Sequence, residues 1–227
     1  MGYQSQGRYA DAEPLHKQAL AIREKAFGSD HLDIALSLNN LAVLYDKQGR
    51  YAEAETFYTR SLAIKEKLLG PDHPDVAMSL SNNLGSLYQT QGRYAEAEPL
   101  YQRSLGIREK AFGTDHVAVA LSLHNLAAFY DEQGRYAEAE LVSKRSLAIR
   151  EQILGPDHPD VAVSLNALAM LYANQGRYED AEPLLKRALA IRENALGPDL
   201  SILEQALVKH RCKICLIADR YRVLRAT

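Results

Sequence analysis

The chain has 227 residues, 47% hydrophobic and 25% charged, enough for one long domain or two short ones of ordinary soluble composition. The first twenty residues contain no apolar signal core, and no apolar run approaches the roughly 18 residues of a membrane span, so a cytoplasmic chain with no membrane partner is expected. Net charge is −2 but uneven: Lys209, Arg211, Lys213, Arg220, Arg222 and Arg225 against Asp219 make the C-terminus basic and leave an acidic body, which argues against a nucleic-acid partner.

In chain order, the first recurring element is "QGRY", at Gln6, Gln48, Gln91, Gln133 and Gln175, in steps of 42, 43, 42 and 42 residues. The chain opens partway through a unit, because Tyr3 stands in the place of Tyr45. A helix over about 9–27 therefore lacks most of its partner, and Leu15, Ala19 and Leu20 are expected to miss part of their packing. A fragment, a misplaced start and an end covered by another molecule all fit that pattern.

The second unit predicts two helices. Over 34–48, Leu38, Leu41, Ala42 and Tyr45 recur at i, i+3, i+4, i+7, an apolar helical stripe. Gly49 suits the left-handed residue after a helix. A second helix over 51–69 turns Ala54, Phe57, Tyr58, Ser61, Leu62 and Lys65 inward, and Gly70-Pro71 stops it. No stretch alternates like a strand, so the chain is predicted all-α.

The linkers carry "GPDHPD" at 70–75 and again at 155–160, with looser copies beginning at Gly28 and Gly113. Imidazole between carboxylates looks like a metal site or an acid/base pair. A metal, however, needs three or four ligands converging at about 2 Å, and one helix–helix spacing is already about 8–10 Å. The structural reading is that Pro74 opens a helix, His73 or Asp72 caps it, and Asp75 adds charge to its first turn.

Twelve of the thirteen tyrosines also fall at repeat positions, which marks them as packing or bracing rather than catalytic phenols. The paired Glu residues (Glu53, Glu55; Glu96, Glu98; Glu138, Glu140) suit positive helix ends. The single 43-residue step places one extra residue at or beside Ser81 in the third unit. A π-bulge over about 79–83 would keep Leu80 and Leu84 buried; the alternative is a helix that starts after residues 75–77.

Beyond Asp199 the repeat fails. Leu203, Leu207, His210, Ile214, Ile217, Tyr221 and Leu224 step by 4, 3, 4, 3, 4, 3, which predicts an amphipathic helix over 200–227 capping an array of 1–199. Its basic face leaves membrane-surface or nucleic-acid binding as the alternative. Cys212 and Cys215 lack a second ligand pair or a preceding strand, so they read as small core residues in a reducing compartment. No catalytic residue, metal site or cofactor is expected, and the chain is read as a non-enzyme.

The helix pair, with Leu41, Ala42, Tyr45, Gly49, Ala54, Tyr58 and Ser61 at its marked places, resembles the tetratricopeptide repeats, in the longer 42-residue form seen in kinesin light chain and many bacterial repeat proteins. The resemblance implies a right-handed superhelical solenoid of antiparallel helix pairs, with a concave groove lined by the first helix of each unit. With Leu38, Leu41, Ala42 and Tyr45 turned inward, the second unit offers Asn39, Asn40, Val43 and Lys47 to that groove. The later units offer Asn82, Asn83 and Ser86, then His124 and Asn125, then Asn166 and Met170.

Asn is a mediocre helix former, so its return at one phase asks for a reason. An amide both donates and accepts, and can pair with the backbone of an extended peptide. The alternative is that these amides satisfy interhelical carbonyls or face water. Lys and Arg are nearly absent from these first-helix positions, unlike family members that clamp a C-terminal carboxylate. The expected function is a scaffold for a protein or peptide partner. The alternative is an assembly module stacking through its N-terminal edge, and a third reading is a metal or redox protein using Cys212 and Cys215.

Overall fold

Each first helix begins on a histidine. The Nδ1 atoms of His31, His73, His116 and His158 accept the backbone N–H two residues on, at 3.2, 3.2, 3.1 and 3.1 Å. This satisfies one of the donors that a helix start leaves without a partner. Of the two N-cap candidates, His73 holds the position, not Asp72.

The computed structural model describes residues 9–196, and among them all regular structure is helical. The predicted helix over 200–227, with Cys212 and Cys215, lies outside the described residues. The chain divides into two compact halves, Met1–Gly113 and Thr114–Thr227.

The N-terminal half holds α1 (Tyr9–Phe27), α2 (Leu32–Lys47) and α3 (Tyr51–Leu69), then α4 (Pro74–Met78), a π-helical stretch (Ser79–Gly85) and α5 (Ser86–Thr90), and finally α6 (Tyr94–Phe112). The C-terminal half holds α7 (Val117–Glu132), α8 (Tyr136–Leu154), α9 (Pro159–Asn174) and α10 (Tyr178–Leu196). Between α2 and α3 the turn closes on Gly49, at φ +73. Arg50 N–H reaches the Tyr45 carbonyl at 2.9 Å and Gly49 N–H the Asp46 carbonyl at 2.9 Å, the paired bonds of a Schellman end.

Within each pair the predicted stripe is buried: Leu38, Leu41, Ala42 and Tyr45, with Ile34 and Leu44 added. From the second helix, Ala54, Tyr58, Ser61 and Leu62 are buried, while Phe57 and Lys65 are half-buried and Ile64 joins the core. Small second-helix serines let the helices close: Ser61, Ser104 and Ser146 donate to the carbonyls of Ala35, Ala77 and Ala120 at 2.7, 2.8 and 2.7 Å. A hydroxyl there satisfies itself on the neighbouring backbone rather than remaining an unpaired buried group.

Two expectations about phase meet the structure differently. In the third unit the helix does begin at Pro74, so the late start is excluded, and the extra residue is absorbed as the π-helical stretch. Leu80 and Leu84 are both buried. In α1, by contrast, Leu20 is buried against the second unit, so it does not miss its packing. Ile22 does: it is 61% exposed, where its repeat equivalents Ile64, Ile107, Ile149 and Ile191 are at most 5% exposed. Leu20 packs with the residues of α2, whereas Ile22, two residues on, lies about 200° round the helix.

Successive units are joined by a recurring clasp. Tyr45 donates to Glu13 at 3.1 Å, Arg50 Nη1 reaches the same carboxylate at 2.8 Å, and the guanidinium lies 4.2 Å from the Tyr45 ring centroid. Tyr88, Arg93 and Glu55 repeat it at 2.8, 2.6 and 4.1 Å. Tyr172, Arg177 and Glu140 repeat it at 3.0, 2.7 and 4.1 Å. Glu55 and Glu140 thus do more than meet a helix end: each carboxylate bonds the phenol and guanidinium of the next unit. Glu53, Glu96 and Glu138 pair with the Arg three residues before them.

Candidate functional site

The candidate surface is the outward face of the first helices. In the N-terminal half, Asn39, Asn40 and Val43 are half-buried and Lys47 is exposed; beside them Asn82 and Ser86 are exposed and Asn83 is half-buried. Asn83 Nδ2 donates to Asn39 Oδ1 at 2.6 Å, so the two first helices run side by side and touch through these amides. In the C-terminal half, His124, Asn125 and Asn166 are half-buried and Met170 is exposed. There Asn174 Nδ2 donates to Asp131 Oδ2 at 3.0 Å across the equivalent pair of first helices.

Beyond Val43 and Met170, sequence reasoning missed a further apolar row. Leu36 and Met78 in one half, and Leu121 and Val163 in the other, are exposed at one repeat position. They sit four residues before Asn40, Asn82, Asn125 and Ala167 and so share the outward face. That four-residue step was present in the sequence. Leu36 and Met78 were passed over because the groove residues were read only from Asn39 and Asn82 onward, about one turn further along each first helix.

A second omission is electrostatic. The cations near this face come from second helices, not first ones. Arg23 donates to the Ser37 hydroxyl, Lys65 Nζ to Ser79 at 2.8 Å, and Arg150 Nη1 to Ser164 at 2.6 Å. Burial holds the Lys65 ammonium and the Arg150 guanidinium below their usual ranges. Arg150 Nε is buried without a partner. His124 is pushed down by burial first and by the Arg150 charge second, so it is held towards its neutral form. Asn166, with its amide oxygen towards Arg192, accepts from both guanidinium nitrogens, one at 3.0 Å.

Among the described residues no group of three or more His, Cys, Asp or Glu is placed to hold a metal ion. No described helix is long and apolar enough to cross a membrane. What the surface offers is amides, hydroxyls and isolated apolar side chains on parallel helices, the chemistry of recognition.

The tetratricopeptide-repeat model matches residues 1–67, 47–82, 75–152 and 142–194. The chain belongs to the tetratricopeptide-repeat family. No curated protein matches it in sequence. Among solved structures, this tetratricopeptide-repeat chain is similar to BtubC (BKLC) from P. vanneervenii, with 26% identity over 88% of this chain and 79% of that one, at a TM-score of 0.73. It is similar to the nearly identical TPR-like repeats of kinesin-light-chain type from Podosopora anserina, with 30% identity over 85% and 91% of the two chains and a TM-score of 0.72. The apo form of RapI, at 16% identity, 98% and 80% coverage and a TM-score of 0.68, shares the fold. The chain is thus an all-α repeat solenoid of the kinesin-light-chain-like type, and the fold is that of a protein-interaction scaffold.

Proposed function

We propose that this tetratricopeptide-repeat protein is a non-enzymatic scaffold that holds an extended peptide segment of a partner protein across the outward faces of neighbouring first helices within a half. The observation that carries the reading is the side-by-side placement of those helices. The Asn39–Asn83 bond at 2.6 Å sets two rows alongside each other, each with an exposed apolar residue, an amide and a further side chain about a turn on (Leu36, Asn40, Val43; Met78, Asn82, Ser86). Helices packed about 8–10 Å apart match roughly three residues of extended chain at about 3.3 Å each, so one backbone can meet successive rows.

The test is a selection of random twelve-residue peptides on the full chain, followed by titration calorimetry. Changing Asn40 and Asn82 together to Ala is expected to weaken the selected peptides by about tenfold or more while the melting temperature holds. Unchanged affinity would remove the groove reading. The second reading, self-association through α1, is favoured by the exposure of Leu15 and Ile22. Light scattering over a concentration series separates the two, since a strict monomer excludes it.

A further inference from the structure

The third unit is the one described repeat whose first helix leaves α geometry, and it does so on the proposed ligand face. Its extra residue, Ser81, is buried, and its hydroxyl lies 3.1 Å from the Ala77 carbonyl and 3.0 Å from Asn82 Oδ1. Ala77 also accepts Ser104, from α6, at 2.8 Å. The Ala77 carbonyl, just ahead of the widened stretch, is therefore met by two side-chain hydroxyls.

Four residues after Ser81, the small residue of the repeat changes as well. Gly85 stands where the other units have Ala42, Ala127 and Ala169. A Cβ on Gly85 would lie 2.9 Å from the Leu80 carbonyl oxygen and 3.3 Å from the Tyr101 ring. The inserted residue and the glycine thus belong together: the widened turn brings the Leu80 carbonyl into the space that an Ala methyl would need.

The consequence appears on the outer face. Asn82 is exposed, whereas the residues at its repeat position elsewhere, Asn39, His124 and Asn166, are half-buried. Asn83 is turned onto Asn39. A local departure from good helix geometry, kept and compensated by a glycine, is a feature that proteins concentrate at functional sites.

We propose that the π-helical stretch Ser79–Gly85 is the specificity-determining element of the N-terminal half: it carries the Asn82 amide outward to pair with the backbone of the bound peptide, and Ser81 and Gly85 are its positioning residues. This rests on the peptide-scaffold reading above and names the residue that makes the contact. Ser81 acts by being an extra residue and by orienting Asn82. Gly85 acts by leaving room for the Leu80 carbonyl.

The experiment uses the full chain and peptides selected on it from a random twelve-residue library. Deleting Ser81 together with Gly85→Ala restores the sequence spacing of the other units, so the helix regularises and the melting temperature holds or rises. Affinity for the selected peptides is expected to fall about tenfold or more. Asn82→Ala, on an exposed position of the intact helix, is expected to show the same loss without any change in fold. Ser81→Ala keeps the residue count but removes the hydroxyl beside Asn82 Oδ1, so it is expected to lose affinity by less than the deletion does, with the melting temperature unchanged. If the regularised variant and Asn82→Ala both bind like the native chain while Leu36→Asp abolishes binding, the scaffold reading stands and this inference is overturned. If no peptide is enriched on the native chain, both fall.

Discussion

Helix α2 and the helical run 74–90 start from nearly one sequence, "DIALSLNNLAVLY" against "DVAMSLSNNLGSLY", and end with different backbones. Both open on a capping histidine, bury the same leucines and finish on a Tyr–Arg–Glu clasp. Between those fixed ends one accommodates an extra residue and the other does not. Packing at the two ends therefore outweighs the hydrogen-bond regularity of the middle. Rotating either end by the roughly 100° that one residue represents would turn a buried leucine to water, which costs more than one distorted turn.

The largest expected effect tests whether the two cores are equivalent. Leu38 and Leu80 are both fully buried. Leu38→Ala and Leu80→Ala should each cost about 2–5 kcal/mol, read as the shift of a urea unfolding transition. Similar losses sharpen the comparison, because they show that the widened turn delivers Leu80 to the same site. A Leu80→Ala loss below about 1 kcal/mol would break it.

Next comes the small residue. Ala is normally about 1 kcal/mol better than Gly inside a helix, so Ala42→Gly should cost about that much. Gly85→Ala should also be destabilising, by about 1–3 kcal/mol, because its methyl meets a carbonyl oxygen rather than open space. With Ser81 deleted, the sign should reverse. A stabilising Gly85→Ala in the native background would show that the turn can close without the glycine.

How much of this was legible depended on whether a signal was local. The 43-residue step exposed the inserted residue directly, and the "DHP" linkers exposed the caps, since both are read within a few residues. The clasp was not legible. Glu13 and Arg50, or Glu140 and Arg177, are 37 residues apart, and each looks adequately explained by its own helix end. The exposed Leu36 and Met78 went unassigned for a different reason: a first helix packs on two neighbours, so its apolar arc is too wide for sequence periodicity to show where it stops. On the candidate site, the amides were found by repetition. The Asn39–Asn83 and Asn166–Arg192 pairings needed coordinates, because phase alone does not say which neighbour an amide meets.

The clasps supply the next, smaller effect. Lys17 first, and then Tyr45 and Arg50, hold the Glu13 carboxyl below its usual value, while Arg93 and then Tyr88 do the same for Glu55. Lys144, then Arg177 and Tyr172, bring Glu140 down to about 2. A carboxylate with a depressed folded pKa stabilises fully above its unfolded value. That stabilisation is lost as pH falls from the unfolded value, about 4.5, through the folded one. Because the guanidinium partners are partly exposed, each clasp is expected to contribute only a small part of its full Coulomb energy. Glu13→Gln and Glu55→Gln should therefore cost similar amounts at neutral pH, and the cost should shrink as pH falls from the unfolded value through the lowered folded one. A pH-independent cost would assign the effect to packing of the side chain instead.

The smallest expected difference lies at the helix starts. His31 and His73 cap in the same way, each with Nδ1 at 3.2 Å from the N–H it accepts, but their surroundings differ. The His31 ring stacks on Phe27 with centroids 4.6 Å apart, whereas His73 is followed by Pro74, whose fixed φ already suits the first helical position. Removing His31 takes away a cap and a ring contact; removing His73 takes away a cap from a start that proline still holds. His31→Ala is thus expected to cost about 1–2 kcal/mol, and His73→Ala less than about 1. The capping term is isolated by Asn, which accepts the same bond without stacking: His73→Asn should be nearly neutral, while His31→Asn should recover only the capping part. Equal losses for the two Ala variants, with full recovery by Asn at both sites, would mean that neither the stack nor the proline distinguishes these helix starts.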